Sequence, residues 1–100
     1  MIGTRVMPDK KGFLPQKKIR QPGAYGRCTA YDKLYPGHAI TWWEFTAPNG
    51  VDRCCLNPAV HQIIEHADGT LTVSPSIQFP GREGKMDGWH GFLKAGVWST

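Results

Sequence analysis

Three cysteines and four histidines carry what metal or nucleophile chemistry this 100-residue chain can offer: Cys28, Cys54, Cys55, His38, His61, His66 and His90. Zinc takes four nitrogen or sulfur ligands in a tetrahedral array. Cys55 or Cys54, with His61 or His66, His90 and Cys28 as a fourth, would supply them. No C-x2-C knuckle is present, and the adjacent Cys54 and Cys55 diverge in an extended backbone, so one of them at most reaches a given ion. The competing reading is that the cysteines act as small buried hydrophobes and that the histidines lie on strand faces. A thiol nucleophile needs an imidazole within hydrogen-bond reach and a third group to orient it. Cys55, His90 and Asp87 are the residues such a triad would use. Nothing in their spacing favours it over the structural reading, and no enzyme is expected.

A second set of residues points to contact rather than catalysis. Residues 1–27 hold Arg5, Lys10, Lys11, Lys17, Lys18, Arg20 and Arg27 against one acid, Asp9, a net +6. The rest of the chain holds five basic and seven acidic residues, a net −2. A basic head on a near-neutral body suits an anionic partner, either an acidic protein surface or a nucleic acid. The aromatic residues that could stack on bases, Trp42, Trp43, Trp89, Phe92 and Trp98, fall in the body. The cations fall in the head, so the nucleic-acid signal is the weaker one. No glycine-rich phosphate loop sits between a strand and a helix.

The elements that must position these residues read as mostly β. Glycine and proline make up a fifth of the chain, 12 and 8 residues, which favours turns over long helices. In the head, Pro8, Pro15 and Pro22 interrupt any helix. Its apolar residues (Ile2, Val6, Met7, Phe13, Leu14 and Ile19) stand isolated, like pegs on an extended arm. The segment His38–Thr46 is β-branched and aromatic and reads as a strand. Trp42 and Trp43 then face opposite sides: one enters the core, and the other is covered by the arm, a second layer or a partner. Asn49-Gly50, Asp68-Gly69 and Ala95-Gly96 mark three hairpin turns. Val51–Leu56 is a return strand, Val60–His66 a short strand or a helical turn, and Thr70–Ile77 alternates apolar with polar residues. Pro75 within it requires a bulge or an edge. The expected fold is all-β, a small mostly antiparallel sandwich or curled sheet of about five or six strands. Residues 1–27 form an extended arm and residues 28–100 the single β domain.

Charged residues at 20% and aromatics at 11% exclude a disordered composition. No stretch approaches the roughly 18 apolar residues of a membrane span. The first residues lack the apolar region of a secretory signal, so no signal-peptide secretion is expected. An odd cysteine count with an adjacent pair suits a reduced compartment.

The order of elements from Cys54 to Ser99 is familiar. A cysteine segment is followed by Asp68-Gly-Thr-Leu-Thr-Val-Ser-Pro-Ser-Ile77. After about a dozen residues come Gly88-Trp-His-Gly-Phe-Leu93 and a glycine hairpin. This order resembles a family of small uncharacterised proteins of bacteriophages, prophages and some bacterial operons. The resemblance covers under half of the chain and excludes the head. In that family the cysteine segment often carries a C-x-C or C-x2-C knuckle, and a cysteine often precedes the histidine, which together look like a zinc site. Here Cys54 or Cys55 matches the knuckle and His90 the histidine, while Asp87-Gly88 stands where the last cysteine would be. The resemblance therefore implies a site lost, or rebuilt with His61 or His66, a mostly β fold, and a viral or mobile-element origin.

Together these readings set the functional expectation: a non-enzymatic phage-type interaction protein, located in the virion or the host cytoplasm. It would be a capsid-decorating or minor structural component, docking on neighbouring subunits or capsid protein, with its own copies as a further partner. Arg5, Lys10, Lys11, Phe13, Leu14, Lys17, Lys18, Arg20, Trp42 and Trp43 would make the contact. The alternative is a zinc-stabilised accessory protein that binds nucleic acid or inhibits a host system.

Overall fold

The computed structural model describes residues 1–31, 39–56 and 61–100. Among the described residues eight strands form: β1 (Thr4–Val6), β2 (Ala24–Tyr31), β3 (Ala39–Thr46), β4 (Arg53–Leu56), β5 (Gln62–Glu65), β6 (Leu71–Gln78), β7 (His90–Lys94) and β8 (Val97–Ser99). A single turn of helix, α1 (Gln16–Ile19), lies in the head. The strands form two four-stranded sheets, ordered β1-β2-β3-β4 and β5-β6-β7-β8. The all-β sandwich expected from the hairpin signals is the observed fold, with more strands than the five or six anticipated.

Each of the three turn signals closes a hairpin. Gly50, Gly69 and the Ala95-Gly96 pair all adopt positive φ, which the tight turns between β3 and β4, β5 and β6, and β7 and β8 require. Asp68 seals the second turn, its Oδ1 accepting from the Thr70 N–H at 3.0 Å and the Thr70 hydroxyl at 2.6 Å. The register of β6 against β7 shifts between Val73 and Ile77. Pro75 sits at that irregularity, as a residue without an N–H must.

Between the sheets lies one aromatic core. Tyr25, Trp43 and Phe45 from the first sheet meet Leu71, Val73, Ile77, Leu93 and Trp98 from the second, with Phe79 beside them. Trp98 stands edge-on to Trp89, centroids 5.5 Å apart at 83°, and to Phe45 at 6.3 Å and 89°. Such geometry sets the positive ring edge against a negative face. The Trp98 indole N–H donates to the buried Gly23 carbonyl at 2.9 Å.

Residues 1–27 are not an extended arm. Val6, Leu14, Ile19, Ala24 and Cys28 form a second small core on the other face of the first sheet. The apolar residues look isolated in sequence, but a turn at Asp9–Gly12 and the helical turn α1 return each of them to one surface. Pro15 does not oppose this, because it stands at the N-cap of α1, where a missing N–H removes no helix bond. Gly26 is the seat of this layer: a Cβ there would stand 2.6 Å from the Val6 carbonyl oxygen and 2.8 Å from a Leu14 methyl. The buried Thr46 hydroxyl donates to the Ile19 carbonyl and fixes α1 to β3. The boundary placed at residues 27 and 28 falls inside β2, a strand the sequence reading missed.

The first residues also join the two sheets. Trp98 N–H donates to the Met1 carbonyl at 2.8 Å, and Gly3 N–H to the Gly96 carbonyl at 2.7 Å. Ile2 bridges Val97 in antiparallel sense. From Thr4 onward the same segment runs parallel to β2. One continuous stretch therefore extends the second sheet and then enters the first, as strands at a sandwich corner do.

Candidate functional site

The five residues expected around a metal do not converge. Cys54 and Cys55 lie in β4 with side chains on opposite faces, as adjacent strand residues must. Cys54 packs against the central core, while Cys55 is exposed on the head side beside Glu44, its register partner. His61 lines an open hollow together with Cys54, Cys55, Ser76 and Met86, and its Nδ1 is buried without a hydrogen-bond partner. His66 is elsewhere, its Nε2 2.6 Å from the Thr72 hydroxyl. His90 is exposed, its Nε2 2.9 Å from the Ser76 hydroxyl. Among the described residues no three His, Cys, Asp or Glu side chains gather as a metal would need. The donors present do not fit the zinc site that the resemblance implied. His38 lies outside the described residues.

The thiols are also set against nucleophilic use. Burial pushes the Cys54 thiol up to about 12, with neighbouring Cys55 adding to the effect. Burial likewise raises Cys55, with Glu44 and Cys28 contributing. Cys28 is raised by burial first and then by Glu44. A thiolate nucleophile requires a shift in the other direction. Cys55, His90 and Asp87 do not form a triad: His90 is held by Ser76 and pairs with Gln78 across β6 and β7.

The contact residues divide into two groups. Lys10, Lys11, Lys17, Lys18 and Arg20 are all exposed on the head. Phe13 is 55% exposed, Met7 64% and Trp42 36%. Trp42 faces the head side of β3, cross-strand from Cys28 in the small core, so the fold sets it on the same layer as Phe13 and the lysines. The sequence had placed aromatics and cations on separate segments; the layer brings part of each set to one side. Met7, expected as one of the isolated pegs, is among the head's most exposed apolar residues.

Three expected contact residues are instead internal. Leu14 belongs to the small core and Trp43 to the central one. Arg5 turns inward over the Trp43 ring, 4.9 Å from its centroid. Its Nη1 donates to Glu65 Oε2 at 2.7 Å and to the Gly69 carbonyl at 2.8 Å. Arg27 joins from 5.9 Å above the same ring, with Glu65 at 4.0 Å. This cation–π and carboxylate cluster ties β1, β2 and β3 to the β5–β6 hairpin. It was legible only once register set Arg27 opposite Trp43.

The head's exposed cations have no comparable partners. The two ion pairs among the described residues both involve Glu65, with Arg5 and Arg27. Asp9, the head's acid, spends its carboxylate on its own turn: Oδ1 accepts from Lys11 N–H at 2.8 Å and Phe13 N–H at 3.0 Å. An open groove runs along β1 and α1, lined by Thr4, Arg5, Val6, Met7, Lys18 and Gln21. A second hollow lies beside Lys10, Lys11 and Phe13. The arrangement can hold an anionic partner by charge and seat apolar side chains next to it.

Within the described residues no helix is long and apolar enough to cross a membrane. No protein-family model matches the sequence, and comparison with curated proteins and with solved structures returns no match.

Proposed function

We propose that this chain is a non-catalytic interaction protein that docks on a protein partner through its basic head, in a virion-associated role of the capsid-decorating or minor structural kind. The observation that carries the docking reading is the folded head layer. It presents five exposed cations without acidic partners among the described residues, next to exposed Met7, Phe13 and Trp42. A layer already held on Gly26 and Thr46 loses little further conformational freedom on binding, which favours affinity. The virion role rests on the resemblance of residues 54–99 to phage proteins.

Two measurements test the reading. Mass spectrometry of purified particles from a producing host is expected to find the chain in many copies. Incorporation is expected to fall sharply for a Lys17→Glu, Lys18→Glu double variant whose circular dichroism matches the parent. Absence of the chain from particles would remove the virion role; unchanged incorporation of the double variant would remove the head as the docking surface.

A further inference from the structure

The main chain of β1 is paired on one side, along β2. β1 runs parallel to β2 with Thr4 opposite Ala24 and Val6 opposite Gly26. Thr4 N–H donates to the Gly23 carbonyl at 3.2 Å. In a parallel ladder alternate residues turn their N–H and C=O toward a given neighbour. Thr4 and Val6 therefore face β2, and Arg5 turns its main-chain groups to the opposite edge. Met1 and Gly3, of the same parity, already use that edge on β8 through Trp98 and Gly96. Gly96 lies in the β7–β8 turn, so β8 supplies no partner one step further on. The main-chain donor and acceptor of Arg5 stand on an edge with no strand beside them among the described residues.

The groove lined by Thr4–Met7, Lys18 and Gln21, with a volume of about 600 Å³, takes in Arg5 and its two neighbours on β1. The Arg5 side chain does not fill it, being drawn inward to Trp43 and Glu65. Lys18 stands on the far wall, with exposed Lys17 and Arg20 on the same helical turn and its following residue. Met7 offers an exposed thioether surface at one end. An unpaired edge beside cations is a template for strand addition, in which the main chain supplies affinity and alternate side chains supply specificity.

Resting on the docking reading above, we infer that the groove between β1 and α1 accepts an extended acidic segment of a partner protein as an added strand. Its main chain pairs with Arg5, its carboxylates face Lys17, Lys18 and Arg20, and its apolar side chains reach Met7. Nucleic acid is the less favoured anion here. The site offers a main-chain edge and an aliphatic surface, with no exposed aromatic ring on the groove wall on which a base could stack.

The test uses the full chain and three fluorescent probes: a short soluble peptide alternating Glu with Val, its Lys-Val counterpart, and an oligothymidylate of similar length. The Glu-Val peptide is expected to bind, and its affinity to fall by about tenfold or more both in Lys17→Glu, Lys18→Glu and on raising salt. Amide protons of Arg5 and its neighbours should gain exchange protection when it binds. A Lys18→Gln variant serves if the double reversal does not fold. Equal binding of the Lys-Val peptide, preference for oligothymidylate, or protection appearing elsewhere would each overturn the inference. If the charge reversal abolishes particle incorporation while the Glu-Val peptide does not bind, docking through the head stands and the acidic strand falls.

Discussion

The two faces of the first sheet are built from different materials. The inner face carries Tyr25, Trp43 and Phe45 against Leu71, Val73, Ile77, Leu93 and Trp98 of the second sheet. The outer face carries Ala24, Gly26 and Cys28 beneath Val6, Leu14 and Ile19. Large rings bury much apolar area per residue and anchor a fold. Small residues let a neighbouring backbone approach closely while contributing little area of their own. The inner face therefore holds the molecule together, and the outer one holds a thin, highly charged layer in a set position. On the docking reading proposed above, stability and contact fall on opposite sides of one sheet, and substitutions on the two sides should fail differently.

Trp98→Ala is expected to have the largest effect. It removes a ring packed against Phe45, Phe79 and Trp89. It also leaves the Gly23 carbonyl without its indole donor. Large core truncations of this kind cost about 3–5 kcal/mol. Chemical denaturation should show one lowered midpoint for the whole molecule. Loss of the head alone, with the body unchanged, would mean that the inner core is not the common anchor.

Gly26→Ala attacks the outer face. The new Cβ meets the main-chain oxygen of Val6, which cannot swing aside, as well as a Leu14 methyl. Overpacking of this type costs about 1–3 kcal/mol. Proteolysis is expected to become faster in the stretch between Val6 and Gln21 while the near-ultraviolet signal of the inner tryptophans persists. A uniform loss of both would show that the two layers unfold as one unit.

Asp52 links the turn between β3 and β4 to the start of β7 by a smaller interaction. Its Oδ2 accepts from the Trp89 N–H at 2.8 Å and from the Asn49 side-chain amide at 2.8 Å. These bonds, the Trp89 contribution first, hold its carboxyl below the ordinary carboxylate value. A depressed folded-state pKa stabilises the fold above the unfolded value of about 4 and loses that effect as pH falls through the folded value. Asp52→Ala should cost about 1–2 kcal/mol at neutral pH, because Trp89 N–H loses its partner. It should also reduce the fall in stability between neutral and acid pH; an unchanged acid limb would place the titrating group elsewhere.

What could be read in advance follows the same division. The three hairpins were legible because Asn-Gly, Asp-Gly and Ala-Gly impose local conformations that need no distant partner. The opposed faces of Trp42 and Trp43 followed from strand alternation alone. The head layer was not legible, because Val6, Leu14 and Ile19 follow no single period: one lies on a strand, one in a loop and one on a helical turn. Strand β2 was hidden by Ala24 and Gly26, residue types depleted in strands, and by the charge of Arg27 within it. Gly26 is there to admit Val6 and Leu14, and Arg27 to lie over Trp43. The metal set failed for a topological reason: proximity in a β sandwich depends on register and facing, and Cys54, Cys55, His66 and His90 share neither.

The smallest effect on stability is expected where the contact effect is largest. Lys17 and Lys18 are exposed on a helical turn whose attachment depends on Ile19 and on the Thr46 hydroxyl, not on the lysine side chains. Exposed substitutions away from such attachments usually shift stability by under about 0.5 kcal/mol. Glutamate at both positions relieves repulsion within a cluster that holds five exposed cations and few acids. The melting temperature of Lys17→Glu, Lys18→Glu should therefore stay level or rise slightly. A marked fall would show that these cations make structural contacts within the molecule, and the assignment of the outer face to binding would then lose its basis.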